Sequence, residues 1–178
     1  MYRSVIWVCC LCSACFLFLT PAQADSETQT PESFCQSWFG QNAHLTPLNL
    51  ANTNVIIQEV SLGGQTSGWL FRTDQVPPVC KGKRGQIAVM VAVGTDARIK
   101  GLTVLGHNED PRYFRRLKSA FFEQFRNQPA DGSSDKLEAV TQATLSSRAI
   151  IRDITEGMKT VVAQPEIATK LISGKKGG

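Results

Sequence analysis

The residues with the clearest capacity for chemistry lie in the segment 138–150, where hydroxyl side chains precede an apolar helical pattern. Thr144, Ser146 and Ser147 fall at the predicted start of that helix. The first turn of a helix has N–H groups without partners, and the positive end of its dipole lies there, so such a start can bind an anion. The alternative is a capping segment, in which the hydroxyls only satisfy N–H groups of the helix itself.

The elements around this segment predict one α+β domain, an antiparallel sheet of four or five strands with helices packed on it. Four stretches have the β-branched or alternating composition of strands. These stretches are 54–60, 68–73, 86–93 and 98–105. We expect a short helix at 34–39, an amphipathic helix from Asp110-Pro111 to Phe125, and a last helix over 145–162.

Residues 1–24 have the organisation of a secretory signal peptide. One early cation, Arg3, precedes an apolar run over 5–19, and small residues stand at 22–24 as a cleavage site. The run is shorter than the ~20 residues that a membrane span needs. Cleavage would place the mature protein in the periplasm, and an uncleaved membrane anchor is the alternative.

The rest of the chain divides into three predicted parts. A polar flexible leader covers 25–33, a single domain covers 34–165, and a C-terminal tail covers 166–178. The net charge of +4 is too small and too evenly spread to indicate binding of nucleic acid.

Of the six cysteines, only Cys35 and Cys80 lie outside the predicted signal peptide. Because an export compartment allows disulfides, we predict that these two are bonded, with two buried free thiols as the alternative. Two cysteines and two distant histidines do not have the ligand spacing of a metal site, so no metal is expected.

The segment from Glu138 to Thr144 also resembles the flavin-attachment motif of the FMN-binding domain family, Asp-x-x-Ser/Thr-Gly-Ala-Thr. Thr141, Ala143 and Thr144 match, whereas Glu138 stands in place of the Asp and Gln142 in place of the Gly. The family includes subunits of the sodium-pumping NADH:quinone oxidoreductase, subunits of Rnf-type complexes, and the nitrous-oxide respiration regulator. The resemblance implies FMN as cofactor, joined to Thr144 through a phosphoester by a flavin transferase.

Other stretches resemble the same family in the same order along the chain. They are Gly68–Thr73 followed by Val76-Pro77-Pro78, then Val93-Gly94, and then Leu105–Glu109. The resemblance implies that His107 and Glu109 line the flavin pocket, and the alternative is that they hydrogen-bond loop backbone. Trp69 and Phe71 share a strand face, so core packing is favoured over stacking on the flavin ring. Arg148 would reach the phosphate or lie on a solvated helix face.

The remaining motif residues have roles that follow from their chemistry. Thr141, Ser146 and Ser147 carry hydroxyls for capping the helix or binding phosphate oxygens. The small side chain of Ala143 lets a cofactor approach the backbone closely, and Gln142 offers an amide donor.

Together these features predict a periplasmic FMN-binding electron-transfer protein that serves a membrane respiratory or redox complex. Peripheral association of the protein with the membrane is compatible with this prediction. The chain has no catalytic triad, haem motif or glycine-rich nucleotide motif, which favours an electron carrier over a self-contained enzyme. The alternative is a non-redox or noncovalent FMN-binding accessory or sensor module for assembly of such a complex. An enzyme reducing a small acceptor has least support, because the sequence indicates no substrate pocket.

Overall fold

The computed structural model of the chain describes residues 30–48, 50, 55–117, 119–131, 133 and 137–174. The predicted signal peptide, most of the predicted leader and the end of the predicted tail lie outside these residues. Among the helices in these ranges, none has both the length and the apolar composition to cross a membrane.

The described residues form five strands and five helices. The strands are β1 (Ala43–Leu48), β2 (Ile57–Leu62), β3 (Gln65–Arg72), β4 (Ile87–Gly94) and β5 (Ile99–His107). The helices are α1 (Pro31–Phe39), α2 (Pro111–Phe114), α3 (Ser119–Glu123), α4 (Thr144–Val162) and α5 (Pro165–Gly174). The predicted α+β class with one antiparallel sheet is confirmed.

The sheet is an antiparallel meander in the order β1-β2-β3-β4-β5. Gly63 and Gly64 make the tight turn between β2 and β3, with φ of 59° and 79°. Strand β4 is apolar throughout because both faces of the sheet are covered: Val89 and Val91 point into one core cluster, and Met90 points into the other.

The larger core lies between the sheet and the C-terminal helices. α4 contributes Ile150, Ile154 and Met158 at the predicted helical spacing, and α5 adds Ile167. On the opposite face, α1 packs Cys35 over a smaller cluster that includes Val60, Leu70, Met90 and Ala92. The sheet is therefore the middle layer, between α1 on one face and the C-terminal helices on the other.

The prediction of one continuous amphipathic helix from Asp110 to Phe125 is wrong, because the segment forms two short helices. Asp110 caps its start as expected, accepting a hydrogen bond from the N–H of Arg112 at 2.9 Å. The chain then tightens, because Leu117 donates to the carbonyl three residues back, that of Phe114, at 2.9 Å. Such bonds end an α-helix, so two short helices replace one long helix.

The structure has two elements that the sequence analysis lacked. Strand β1 contains Pro47 and pairs on one side only, as a proline-bearing edge strand does. Helix α5 lies where a tail was predicted to begin at residue 166, and its Ile167 is fully buried. At the other end, α1 begins at Pro31, inside the predicted leader.

The predicted disulfide is also wrong, since Cys35 and Cys80 are both free. Cys35 packs under α1, whereas the N–H of Cys80 donates to Asp153 Oδ1 of α4 at 2.5 Å, so the sheet separates them. Burial raises the pKa of the Cys35 thiol, and burial with Asp153 beside it raises the pKa of Cys80 to about 11. Both thiols therefore stay protonated at neutral pH.

Candidate functional site

A pocket of about 290 Å³ opens where α4 begins, between that helix, α2 and the loop before β4. Nine residues line it. They are Lys83, Glu109, Asp110, Tyr113, Gln142, Ala143, Thr144, Leu145 and Ser146. The predicted residues Gln142, Ala143, Thr144 and Ser146 thus meet at one place, and Glu109 of the predicted His107/Glu109 pair joins them.

Thr144 is the first residue of α4, and its side chain is half-buried at the pocket. Its hydroxyl donates to the carbonyl of Val140 at 3.3 Å, which leaves the lone pairs of Oγ1 without a donor among the described residues. Ala143 is the N-cap and has no side chain that could cap the helix, and no acidic residue lies in the first turn. The N-terminal dipole of this 19-residue helix is thus directed at the pocket with no acidic residue of α4 in its first turn, and the carboxylate of Glu109, bound to Ser146, is the anion at this end.

Ser147 fixes the turn that precedes Thr144. Its hydroxyl is fully buried, donates to the carbonyl of Ala143 at 3.0 Å, and accepts the N–H of Val140 at 3.0 Å. Of the two roles predicted for Ser147, capping the helix or binding phosphate oxygens, these bonds favour the first, because they hold the hydroxyl within the turn. Its role is to hold the start of α4 in place.

Glu109 is a buried carboxylate, only 6% exposed, that joins three parts of the site. It accepts a hydrogen bond from the backbone N–H of Arg84 at 2.7 Å and another from the hydroxyl of Ser146. Burial alone would raise its pKa, but the bonds from Ser146 and from the N–H groups of Arg84 and Lys83, with His107 nearby, outweigh it and lower the pKa. Glu109 is therefore a fixed anion that ties the loop before β4 to the start of α4.

Gly82 leaves the space that this carboxylate occupies. A Cβ at Gly82 would lie 2.7 Å from Glu109 Oε1 and 2.9 Å from its Cδ. The backbone of the loop can therefore approach Glu109 closely enough for its N–H groups to donate.

Four pocket residues were not predicted: Lys83, Asp110, Tyr113 and Leu145. Lys83 Nζ lies 5.4 Å from the centroid of the Tyr113 ring, so a cation and an aromatic face stand together on the wall opposite α4. Leu145 is 61% exposed at the rim. Only the basic composition of the 82–85 turn and the N-cap pattern at Asp110 provided a signal in the sequence.

Gln142 has a left-handed backbone, with φ of 67°. Glycine adopts this conformation without steric cost, whereas a residue with a Cβ is strained by about 1 kcal/mol. This explains in physical terms why a glycine suits this position of the motif. Gln142 stands in place of this glycine, but its side chain is exposed and lines the pocket without closing it.

We expect Gln142→Gly to raise the free energy of unfolding by about 0.5–1 kcal/mol, because it relieves this strain. Ala97→Gly should give a similar gain, since Ala97 also has a positive φ, of 57°, outside the pocket. Arg152→Gly, at an exposed position inside α4, should instead cost about 1 kcal/mol. Urea denaturation measures the free energy of unfolding of all three variants. A loss of stability in Gln142→Gly would show that the backbone of Gln142 is not strained.

The other predicted residues lie outside the pocket lining. Thr141 is exposed in the turn, and the exposed Glu138 is held by its backbone, whose N–H donates to Gln124 Oε1 at 2.8 Å. His107 stacks on Phe114 with ring centroids 3.5 Å apart. His107 is therefore not among the residues that line the pocket, although it lies near enough to Glu109 to help lower the pKa of that carboxyl.

The alternatives for Trp69, Phe71 and Arg148 depend on where their side chains lie. Trp69 and Phe71 are buried in the large core, so the core interpretation is confirmed for both. Arg148 is exposed one turn after Thr144.

The pocket suits a ligand that combines an anionic group with an aromatic ring. The N–H groups at the start of α4, the Thr144 hydroxyl and the Lys83 ammonium can hold the anion. Tyr113 and Leu145 offer apolar surface to the ring. The volume of about 290 Å³ is close to the lower end of ligand pockets, ~300 Å³, and the mouth is open to solvent, so a larger ligand can extend outwards.

Comparison with known families agrees with this chemistry. Residues 82–159 match the FMN-binding domain family. All nine residues that line the pocket fall inside the matched segment. The match confirms the resemblance drawn from the motif and, with it, FMN as the cofactor.

Among curated proteins, the chain is similar to one subunit of a proton-translocating ferredoxin:NAD(+) oxidoreductase complex from Clostridium ljungdahlii. The two are 30% identical over 95 residues, which cover 48% of this chain and 51% of the relative. The chain therefore spans about half the length of this relative.

Proposed function

We propose that this chain is an exported electron carrier whose FMN is attached to Thr144 through a phosphoester. The observation that carries the proposal is the position of Thr144. Its hydroxyl stands at the start of the 19-residue α4, inside the pocket and inside the segment that matches the FMN-binding domain. The other hydroxyl on α4 that lines the pocket is not comparable, because that of Ser146 donates to Glu109.

The residues of the pocket have separate tasks in this proposal. In the transfer, Thr144 Oγ1 would displace the leaving group from the phosphorus of an activated flavin phosphate, such as the AMP of a flavin adenine dinucleotide, and its proton would go to that leaving group. The N–H groups of α4 and Lys83 would then neutralise the ester phosphate. Tyr113 and Leu145 support the ring and exclude water from one side of it. Bound FMN supplies the capacity to accept and release electrons.

The partners follow from the relative and from the N-terminal sequence. The relative's name places it in a redox complex that translocates protons, and we propose a membrane redox complex as the partner of this chain as well. The signal-peptide pattern of residues 1–24 supports export to the periplasm. A flavin transferase is then required to form the ester.

The test is expression of the exported chain together with a flavin transferase, followed by acid precipitation of the purified protein. We expect the yellow absorbance to stay with the precipitate, and the native protein to be reduced by dithionite and reoxidised reversibly. Colour that passes into the supernatant would contradict the covalent linkage. A colourless protein would contradict the carrier function as a whole.

A second candidate is a noncovalent or flavin-free accessory module. The observations that favour it are Gln142 in place of the motif's glycine and the exposed side chain of Glu138, outside the pocket lining. The acid precipitation separates the candidates, because a noncovalent module releases its colour and a flavin-free module has none.

A further inference from the structure

Several cations lie in the pocket lining or close to it along the chain. We call them the basic collar, which we define as Lys83, Arg84, Arg112, Arg116 and Arg148. All five side chains are exposed. Lys83 lines the pocket itself and Arg84 follows it in the loop.

The other three cations of the collar are close along the chain to residues that line the pocket. Arg112 and Arg116 flank Tyr113, which lines the wall, at one and three residues' distance. Arg148 lies four residues after Thr144 in α4, and residues at this spacing share a helix face.

The collar has little negative charge to compensate it. Among the described residues, Arg84 is paired with Asp110 at 3.6 Å, and the other four cations form no ion pair. The carboxylate of Glu109 is buried and bound by Ser146 and backbone N–H groups. A phosphate at the start of α4 would be met by Lys83 and the helix dipole, so the outward-facing arginines remain available to another molecule.

The pocket beside these cations is also lined by exposed apolar groups. Tyr113 is 39% exposed and Leu145 is 61% exposed. An aromatic and an aliphatic anchor beside arginines is the composition of a protein–protein contact, with the apolar residues at its centre and the charges at its rim.

We propose that this face is the docking surface for an acidic redox protein, which exchanges electrons with the flavin through the mouth of the pocket. The proposal rests on the FMN carrier function proposed above. The positive charge of the collar favours a partner with negative charge, and the flavin proposed for the pocket favours a partner that accepts or donates electrons. A lipid surface would also attract the arginines, but it would cover the mouth with groups that cannot accept an electron.

The test uses two small haem proteins of opposite charge as electron acceptors: the soluble domain of cytochrome b5, which is acidic, and cytochrome c, which is basic. The reduced flavoprotein is mixed with each, and haem reduction is followed at ionic strengths of about 0.01 M and 1 M, where the Debye length is about 30 Å and 3 Å. We expect reduction of cytochrome b5 to be fast at low salt and to slow at high salt. Reduction of cytochrome c should not slow with salt.

The variant Arg116→Glu/Arg148→Glu should slow the reduction of cytochrome b5 about tenfold at low salt, without slowing that of cytochrome c. The matched control is Arg126→Glu/Lys159→Glu, which changes the net charge equally at exposed positions away from the pocket. Lys159 lies about 22 Å along α4 from Thr144, at ~1.5 Å per residue. The control should leave both rates within about twofold of the wild type.

The outcomes separate this inference from the carrier function. Flavin content is measured by absorbance in each variant, and a lack of flavin in the wild type would contradict the carrier function. A flavin-loaded variant that reduces cytochrome b5 as fast as the wild type would overturn the docking surface. If that variant also failed to sediment with phosphatidylglycerol vesicles that bind the wild type, the collar would serve a membrane instead.

Discussion

Thr144→Val is expected to give a folded protein that carries no covalent flavin. Valine keeps the shape of threonine and removes the hydroxyl alone, so the start of α4 should be preserved. The lost hydrogen bond to the Val140 carbonyl is long, at 3.3 Å, and should cost no more than about 1 kcal/mol. After coexpression with a flavin transferase, in-gel flavin fluorescence of the denatured chain should fall to background.

Thr141→Val is the matched control, because Thr141 is the other threonine of the motif but lies exposed in the turn, outside the pocket lining. It should keep the fluorescence of the wild type. If the fluorescence were lost in Thr141→Val and kept in Thr144→Val, the assignment of the ester to Thr144 would be wrong. Circular dichroism of both variants checks that the fold is intact.

Glu109→Leu is expected to have the largest effect on stability among the residues of the pocket. It leaves the N–H groups of Lys83 and Arg84 and the hydroxyl of Ser146 without their acceptor in a buried place. Each such group costs about 1–3 kcal/mol, so we expect a total loss of about 3–5 kcal/mol and a fall in Tm of about 10–15 °C. Thermal denaturation measures the change, and flavin attachment should fall with it.

Glu123→Leu provides the comparison, because the carboxylate of Glu123 pairs with Arg126 at a side-chain exposure of 58%. Exposed pairs contribute little, so this variant should change the stability by less than about 1 kcal/mol. Equal effects of the two substitutions would show that Glu109 does not join the loop to the helix.

The acid dependence of stability provides a second readout of Glu109. Its pKa is lower in the folded chain than the ordinary glutamate value of about 4.3, so its ionised form favours folding. The contribution is complete above that ordinary value and is lost as the pH falls through the lowered folded pKa. The difference in the free energy of unfolding between wild type and Glu109→Gln should therefore narrow below about pH 4. A difference that widens there would contradict a lowered pKa of Glu109 in the folded chain.

The sequence was sufficient where one local pattern determined the outcome. The apolar spacing of Ile150, Ile154 and Met158 predicted the buried face of α4, and Thr144 therefore fell at its start. The continuous apolar run of β4 predicted a central strand because only a strand covered on both faces needs it. The placement of Thr144 at a helix start therefore follows from local spacing alone.

The sequence was insufficient where distant segments meet. Lys83 and Tyr113 are far apart along the chain, and only the β4–β5 hairpin and α2 bring them to the same pocket as Thr144. The two cysteines were paired by their number and by the expected export compartment, neither of which says anything about the sheet that separates them. For His107, the family resemblance implied a place in the pocket beside Glu109, but its ring stacks on Phe114 and is not part of the pocket lining.

The central claim is that Thr144 carries FMN, and the most direct measurement is tandem mass spectrometry of the exported protein after proteolysis. We predict that the peptide containing Thr144 is heavier by the mass of FMN less one water, and that fragmentation places the added mass on Thr144. An unmodified peptide, or a mass located on Thr141 or Ser146, would contradict the claim.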